Sequence, residues 1–143
     1  ENMSQSPYLV GYKARLDGLG MGDGSLTDSL VRGLGCPVND YHMGVTSENV
    51  AERFGVSRED QDELAAISHQ RAVAAIKDGR FDHQISSVSV PQRRSDPIIV
   101  SRDEGPREDS TVERLAQLSP VFKKEGTVTA GNASSIHDGA AAA

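Results

Sequence analysis

Two consecutive helix signals in the middle of the chain constrain its fold more than any other feature. Thr46 can cap a first helix, whose pattern ends at Gly55. Ser57 opens a second helix with Asp60 at the reciprocal capping position, and the pattern extends that helix to about Lys77. The middle of the chain is therefore predicted to be helical.

The second helix carries a narrow stripe of mixed and small side chains. The pattern places Leu64, Ile67, Ser68, Arg71 and Ala75 along one face. Such a stripe suits close packing against a neighbour better than it suits a large core. The whole chain of 143 residues is 36% hydrophobic and 4% aromatic, has no Trp and contains 14 Gly, which is a thin supply for an independent core. We therefore expect the chain to pack on further protein.

Shorter elements are predicted on both sides of the helices. Residues 10–30 are Gly-rich and form an extended, hairpin-like excursion with residues 21–25 near its turn. Residues 85–90 and 97–101 have the pattern of two short strands joined by a polar turn. Residues 110–113 match a capping box that opens a short helix. The predicted fold class is α/β, in the form of an α+β segment with a few helices and short strands.

Charge and composition exclude several function classes. A net charge of -6 argues against a general nucleic-acid surface. The sequence shows no basic, apolar leader and no apolar stretch of about 18 residues, so neither secretion nor a membrane span is expected. The one cysteine, Cys36, excludes a disulfide framework and a Cys-rich metal site, and no pair of histidines has metal-ligand spacing. We expect no metal, nucleic acid or membrane among the partners, and a reducing, cytoplasmic compartment.

His42 is the histidine whose position most suggests a site. It precedes Met43, Gly44 and a helix start, where backbone N–H groups and the positive end of the helix dipole favour an anion. The spacing alone leaves a structural role and a binding role of His42 equally open. His69 and His83 lie among polar neighbours, which favours solvated side chains. The residues by themselves therefore indicate a segment with a candidate anion or ligand surface and no recognisable catalyst.

Six stretches of the chain resemble the thiolase family, in the family's order. They are residues 1–8, 21–24, 41–51, 57–62, 79–81 and 115–134 (ENMSQSPY, MGDG, YHMGVTSENVA, SREDQD, GRF and LAQLSPVFKKEGTVTAGNAS). Many dispersed matches are more specific than any single motif, and the resemblance covers essentially the whole chain. Residues 41–44 and the Gly-rich excursion are most similar to the biosynthetic branch, which forms acetoacetyl-CoA.

The resemblance implies a thiolase-fold fragment. Residues 1–143 would be part of the thiolase N-terminal domain, comprising the loop domain that is inserted in its core and holds coenzyme A. Thiolases condense two acyl-CoA molecules or cleave a 3-ketoacyl-CoA through an acyl-cysteine intermediate. The resemblance places the nucleophilic cysteine before this segment, and the activating histidine and second cysteine after it. No catalytic residue is therefore expected here, and Cys36 matches neither catalytic cysteine.

The resemblance also implies a set of CoA-binding residues. They are His42, Met43, Arg107, Leu118, Phe122, Ala130, Gly131 and Ser134. His42 and Met43 match residues that line the CoA groove, and Arg107 matches an arginine at the nucleotide end, where a planar cation suits phosphate and stacks on adenine. Coenzyme A and acyl-CoA are expected as substrates, with no tightly bound cofactor.

The remaining implied residues form the sides of a narrow tunnel. Leu118 and Phe122 match apolar positions that face the nucleotide and the pantetheine. Ala130, Gly131 and Ser134 match the small-residue wall along the pantetheine arm, where the Ser134 hydroxyl can bind its amides. Small residues suit this wall because an extended arm must pass through it.

The match to the family has four departures and one further implication. Arg114, Leu115, Ser135 and His137 stand where the family commonly has Ser, Met, Gly and Asn. Arg114 could add a phosphate contact or could point to solvent. Residues 10–28 match the excursion that many members use to form tetramers, so the expected partners are the rest of the thiolase core and further subunits of a homotetramer. A non-catalytic oligomerisation or interaction module is the alternative function.

Overall fold

The computed structural model describes residues 1–142. After a short 3-10 turn at Met3–Gln5, the elements in chain order are β1 (Tyr8–Val10), α1 (Lys13–Leu16), β2 (Leu26–Asp28), α2 (Ser29–Gly33), β3 (Gly35–Cys36), β4 (Tyr41–His42), α3 (Met43–Phe54), α4 (Arg58–Lys77), β5 (Val88–Val90), β6 (Ile98–Val100) and α5 (Val112–Leu115). Within the described residues the strands form three two-stranded antiparallel sheets, β1–β2, β3–β4 and β5–β6. The predicted mixture of helices and short strands is confirmed.

Helix α3 begins earlier than its sequence pattern predicted. Its cap is His42, whose backbone is extended and whose side chain accepts a hydrogen bond from the N–H of Gly44. Thr46 is therefore the wrong cap and lies within the first turn of α3. The C-terminus is as predicted, because Gly55 adopts a left-handed conformation with φ of 64°.

Helix α4 has the predicted ends but a different buried face. Ser57 and Asp60 form the predicted capping box, and the helix ends at Lys77. The buried side chains are Asp62, Ala66 and Val73. The predicted stripe of Leu64, Ile67, Ser68, Arg71 and Ala75 is wrong, since Leu64 is 70% exposed and both Ser68 and Arg71 face solvent. The pattern misled because the buried face of α4 carries a charged residue, Asp62, which apolar spacing does not reveal.

The excursion near the N-terminus is hairpin-like, as predicted. Strands β1 and β2 pair with Tyr8 opposite Asp28 and Val10 opposite Leu26. The connection between them contains the short helix α1, which the Gly-rich pattern did not reveal. Gly18 and Gly22 adopt positive φ in this connection, at 73° and 119°.

The three predicted elements after α4, two strands and a short helix, are present with shifted bounds. Strands β5 and β6 pair from Val88 opposite Val100 to Val90 opposite Ile98, which is shorter than the predicted ranges. The cap of α5 is Thr111, whose hydroxyl accepts a hydrogen bond from the N–H of Arg114. Residue 110, the predicted cap, is instead a buried serine.

The buried apolar side chains are small and few. In the described residues they are Ala51, Ala66, Val73, Leu115 and Val128, from α3, α4, α5 and the segment that follows α5. Large apolar side chains such as Phe54 and Leu9 are exposed. The thin core predicted from composition is confirmed. Among residues 1–142, no helix is both long enough and apolar enough to cross a membrane.

Candidate functional site

The start of α3 forms one side of an open cleft of about 890 Å³, here called the His42 cleft. The segment 132–137 also lines this cleft. Four of the eight sequence-predicted binding residues line this cleft: His42, Met43, Phe122 and Ser134. The apolar side chains of Val50, Val56 and Val128 also contribute to it, so the cleft combines an apolar surface with a few polar groups.

His42 has a defined hydrogen-bond state. Its Nδ1 accepts a hydrogen bond of 3.0 Å from the N–H of Gly44, so Nδ1 carries no proton in this arrangement. A neutral ring then carries its proton on Nε2, which remains available as a donor. The ring also stacks on Phe122, with centroids 4.8 Å apart and planes inclined by 22°. His42 thus has the structural role that its spacing left open, because it caps a helix; it also lines a cleft, and its role in binding stays a prediction.

Gly44 is required for this stacking. A Cβ at Gly44 would overlap the ring of Phe122, which lies directly against the first turn of α3. The absence of a side chain at this position therefore lets Phe122 lie flat beside His42.

A second cleft of about 650 Å³ adjoins the first and is here called the Arg107 cleft. It is lined by the other four predicted binding residues: Arg107, Leu118, Ala130 and Gly131. Ala133 and Ser135 line both clefts, so the two surfaces are continuous. The structure therefore distributes the eight predicted residues over two adjoining clefts, four to each.

The Arg107 cleft has a cationic end. Arg107 Nε lies 3.3 Å from one carboxylate oxygen of Asp109, and Arg114 Nη1 lies 2.6 Å from the other. The hydrogen bond from Arg107, together with the charges of Arg107 and Arg114, holds the pKa of Asp109 below its ordinary value. Asp109 is therefore ionised at neutral pH, and the three side chains carry one net positive charge. Both arginines remain largely exposed, at 69% and 62%.

His69 is a part of this site that sequence reasoning missed. Its Nδ1 accepts a hydrogen bond of 3.1 Å from the N–H of Arg107, and its side chain lines the Arg107 cleft. The polar neighbours of His69 predicted a solvated side chain, and the structure shows a half-buried one that accepts this bond. The two residues are 38 positions apart, and no local pattern relates them.

The segment 127–134, here called the cleft wall, is attached to α3 by a buried carboxylate. Glu48 is 4% exposed and accepts hydrogen bonds from the N–H groups of Thr127 and Val128 at 2.9–3.0 Å, and from the Thr127 hydroxyl at 3.1 Å. Burial by itself raises the pKa of Glu48, but these donors and the charge of Lys123 together hold that pKa below the ordinary glutamate value. Glu48 is therefore an ionised, fully satisfied anchor.

Cys36 lies outside both clefts. It is a free thiol, and Asn39 Nδ2 donates to its sulfur at 3.5 Å. The backbone N–H groups of Asn39 and Val38 lower its pKa. Within the described part of the chain, no group of three or more His, Cys, Asp or Glu side chains is placed to hold a metal ion.

Comparisons with known proteins agree on one family. Residues 1–143 match the family described as thiolase, N-terminal domain. A probable acetyl-CoA acyltransferase of Staphylococcus aureus (strain COL) is 56% identical over 142 residues, which are 99% of this chain and 36% of that protein.

Solved structures give the same result. The acetyl-CoA acetyltransferase of Syntrophomonas wolfei superimposes with a TM-score of 0.87 and 44% identity, over 95% of this chain and 34% of that one. Human mitochondrial 3-ketoacyl-CoA thiolase in complex with CoA superimposes with a TM-score of 0.82 and 38% identity, over 95% of this chain and 33% of that one. The chain thus spans about a third of the length of the relatives it matches. On sequence and on structure alike, it belongs to the thiolase N-terminal domain family.

Proposed function

We propose that this chain is the CoA-binding part of a thiolase, an enzyme that transfers acyl groups between CoA thioesters. The reaction is the condensation of two acetyl-CoA molecules to acetoacetyl-CoA, or the thiolytic cleavage of a 3-ketoacyl-CoA. The observation that carries the proposal is the placement of eight family-matched residues along two continuous clefts. Support also comes from relatives described as acetyl-CoA acyltransferase and acetyl-CoA acetyltransferase.

The two clefts match the two ends of the proposed ligand. Coenzyme A has an anionic nucleotide and a long, flexible pantetheine arm. The cationic end formed by Arg107 and Arg114 suits the phosphates, because guanidinium groups bind phosphate oxygens through charged hydrogen bonds. Ala133 and Ser134 of the cleft wall and the Nε2–H of His42 suit the arm, which needs small side chains beside it and donors for its carbonyl oxygens.

In this proposal the chain contributes positioning and not bond chemistry. Holding a long thioester in one orientation brings its acyl group to the nucleophile and lowers the entropic part of the barrier. The nucleophilic cysteine, its activating histidine and the second cysteine would come from the thiolase core outside these residues. Coenzyme A is then a substrate that binds and dissociates in each turnover, and no tightly bound cofactor is involved.

The test is a pair of arginine substitutions in the full-length protein. Arg107→Ala is expected to raise the KM for acyl-CoA roughly tenfold while kcat falls much less, because it removes a charged contact far from the reacting atoms. Arg94→Ala is the matched control, since Arg94 lies between β5 and β6 and lines neither cleft. An unchanged KM in Arg107→Ala, or an equal rise in Arg94→Ala, would count against the proposal.

A second role is proposed for residues 10–28. These residues expose large apolar side chains, with Tyr12 at 72%, Leu16 at 73% and Leu19 at 71%. Such a patch is typical of a protein–protein contact, and we assign it to the assembly of a cytoplasmic homotetramer. A variant lacking residues 10–28 should elute as a smaller species and still bind CoA. Unchanged assembly of that variant would contradict this role.

A further inference from the structure

A buried carboxylate on α4 has no part in either cleft as described so far. Asp62 is 1% exposed and lines neither the His42 cleft nor the Arg107 cleft. Burying a carboxylate is costly unless charged or polar partners satisfy it. The partners of Asp62 therefore indicate what the carboxylate is for.

One oxygen of Asp62 connects to α5. Asp62 Oδ2 accepts a hydrogen bond of 2.7 Å from Arg58 Nε, one turn earlier on α4. Arg58 Nη2 in turn donates to the carbonyl oxygens of Leu115 and Leu118, at 2.7 and 3.0 Å. These carbonyls lie at and just beyond the C-terminus of α5, where a cation is favourable. Arg58 therefore fixes the side of the Arg107 cleft that carries Leu118.

The other oxygen of Asp62 connects to the cleft wall. Asp62 Oδ1 accepts a hydrogen bond of 2.9 Å from Asn132 Nδ2. The same Asn132 side chain accepts from the N–H of Thr129 at 2.7 Å and donates to the carbonyl of Thr127 at 3.1 Å. These bonds close the turn that holds Ala130 and Gly131, which line the Arg107 cleft together with Ala133 of the same wall.

The two sides meet without free space between them. A Cβ at Gly131 would lie 2.5 Å from Leu115 Cδ2 and 2.6 Å from Leu118 Cδ1, closer than real Cβ contacts allow. Small displacements of either side would therefore change the shape of the cleft. Hydrogen bonds through Arg58, Asp62 and Asn132 connect the two sides of the cleft.

We propose that Asp62 is a positioning residue for acyl-CoA, which sets the width of the Arg107 cleft by holding α5 and the cleft wall at a fixed separation. This inference rests on the proposed function of the clefts. Asp62 touches no ligand in this scheme and acts through Arg58 and Asn132. Its contribution is to ligand affinity, since the Arg107 cleft is assigned to the nucleotide end and not to the reacting atoms.

The hydrogen-bond geometry provides a specific test in the full-length protein. Both oxygens of Asp62 face donors, so an asparagine at position 62 must turn its own NH₂ group toward Arg58 or toward Asn132. Asp62→Asn is expected to raise the KM for acyl-CoA about tenfold, with kcat within about twofold of wild type. Glu63→Gln is the matched control, because it removes one exposed carboxylate from the same helix.

Rescue by exchange separates positioning from general stabilisation. In the double variant D62N/N132D the donor and the acceptor trade places, so the bond between positions 62 and 132 can form again. We expect the double variant to recover part of the affinity that D62N loses, and the single variant N132D to lose affinity, because two carboxylates then face each other. Recovery is incomplete because the carbonyl of Thr127 loses its donor.

Three outcomes would overturn the inference. They are an unchanged KM in Asp62→Asn with a lowered melting temperature, an equal KM rise in Glu63→Gln, and no rescue in the double variant. If Asp62→Asn does not fold, Arg58→Lys decides, because lysine keeps the charge but cannot reach both carbonyls; an unchanged KM in Arg58→Lys overturns the inference. Failure of the proposed function is distinct, since the wild-type protein itself would then show no thiolase activity and no CoA binding.

Discussion

The cleft wall and the N-terminal excursion are fixed in opposite ways. In the cleft wall, Thr129 is fully buried and Val128 is 4% exposed, and the N–H of Val128 donates to Glu48 on α3, 80 residues away. In the excursion, β1 and β2 form a two-stranded sheet with each other, and Leu16 between them is 73% exposed. The comparison shows that polar contacts to distant helices define the shape of one region, and local strand pairing defines that of the other.

The two regions also offer different kinds of binding surface. A wall held by buried carboxylates keeps its shape without a ligand, which suits a preformed site for a small molecule. An excursion that exposes large apolar side chains gains most of its burial from another protein. The substitutions below test whether the two regions differ in this way.

The largest effect is expected from Glu48→Ala. This change leaves the N–H groups of Thr127 and Val128 without their acceptor and should lower the free energy of unfolding by about 3 kcal/mol. Denaturant unfolding of the full-length protein measures it. Glu52→Ala is the control on the same helix, because the Glu52 side chain is 81% exposed and 3.8 Å from Lys123. Equal losses in the free energy of unfolding would show that the buried carboxylate of Glu48 stabilises the fold no more than the exposed one of Glu52.

A comparison of two glycines is expected to give the next largest effect. Gly44→Ala forces Phe122 away from His42 and should cost about 2 kcal/mol of stability and raise the KM for acyl-CoA. Gly11→Ala, at the start of the excursion connection, meets nothing within 4 Å and should be near neutral. Thermal unfolding and steady-state kinetics measure both. A neutral Gly44→Ala would show that Phe122 relaxes freely.

Lowering the pH should reduce the stability that the ionised Glu48 side chain gives to the cleft wall. Because the folded-state pKa of Glu48 is lowered, its contribution to stability is complete above the unfolded value of about 4.3 and is lost as pH falls through the lowered folded value. The stability difference between wild type and Glu48→Gln should therefore narrow as pH falls below about 4.3. Denaturant unfolding over a pH series measures this stability difference. A difference that does not change with pH would contradict the lowered folded-state pKa of Glu48.

The smallest effect is expected in the excursion. Leu16→Ser changes an exposed side chain and should leave hydrogen exchange at the amide of Val128 unchanged, whereas Leu115→Ser, at a position 4% exposed, should accelerate it. Exchange measured by mass spectrometry on the full-length protein compares the two. Faster exchange of Val128 in Leu16→Ser would mean that the regions are not independent.

Local capping chemistry was largely readable from the sequence. The capping box of Ser57 and Asp60 and the left-handed Gly55 involve residues within one turn of a helix end, so their patterns are short and specific. The cap of α3 was missed because histidine is an uncommon cap, and Thr46, four residues later, matched the usual pattern.

The site itself was not readable from local pattern. Asp62 is buried because Asn132 meets it from 70 positions away, and His69 is engaged because Arg107 meets it from 38 positions away. Periodicity places residues on a helix face but does not reveal such partners. The eight binding residues came from the resemblance to a family, and their roles in binding remain predictions.

The long separation between Glu48 and Thr127 has a consequence for folding kinetics. Their contact closes a loop of 79 residues, whereas the capping box at Ser57 closes over 3. Longer loops cost more chain entropy, so such contacts form late. We expect α3 and α4 to form first and the cleft wall to dock onto them in the final step. A ligand bound between them would then act chiefly by slowing the first opening event, which lengthens the lifetime of the folded state.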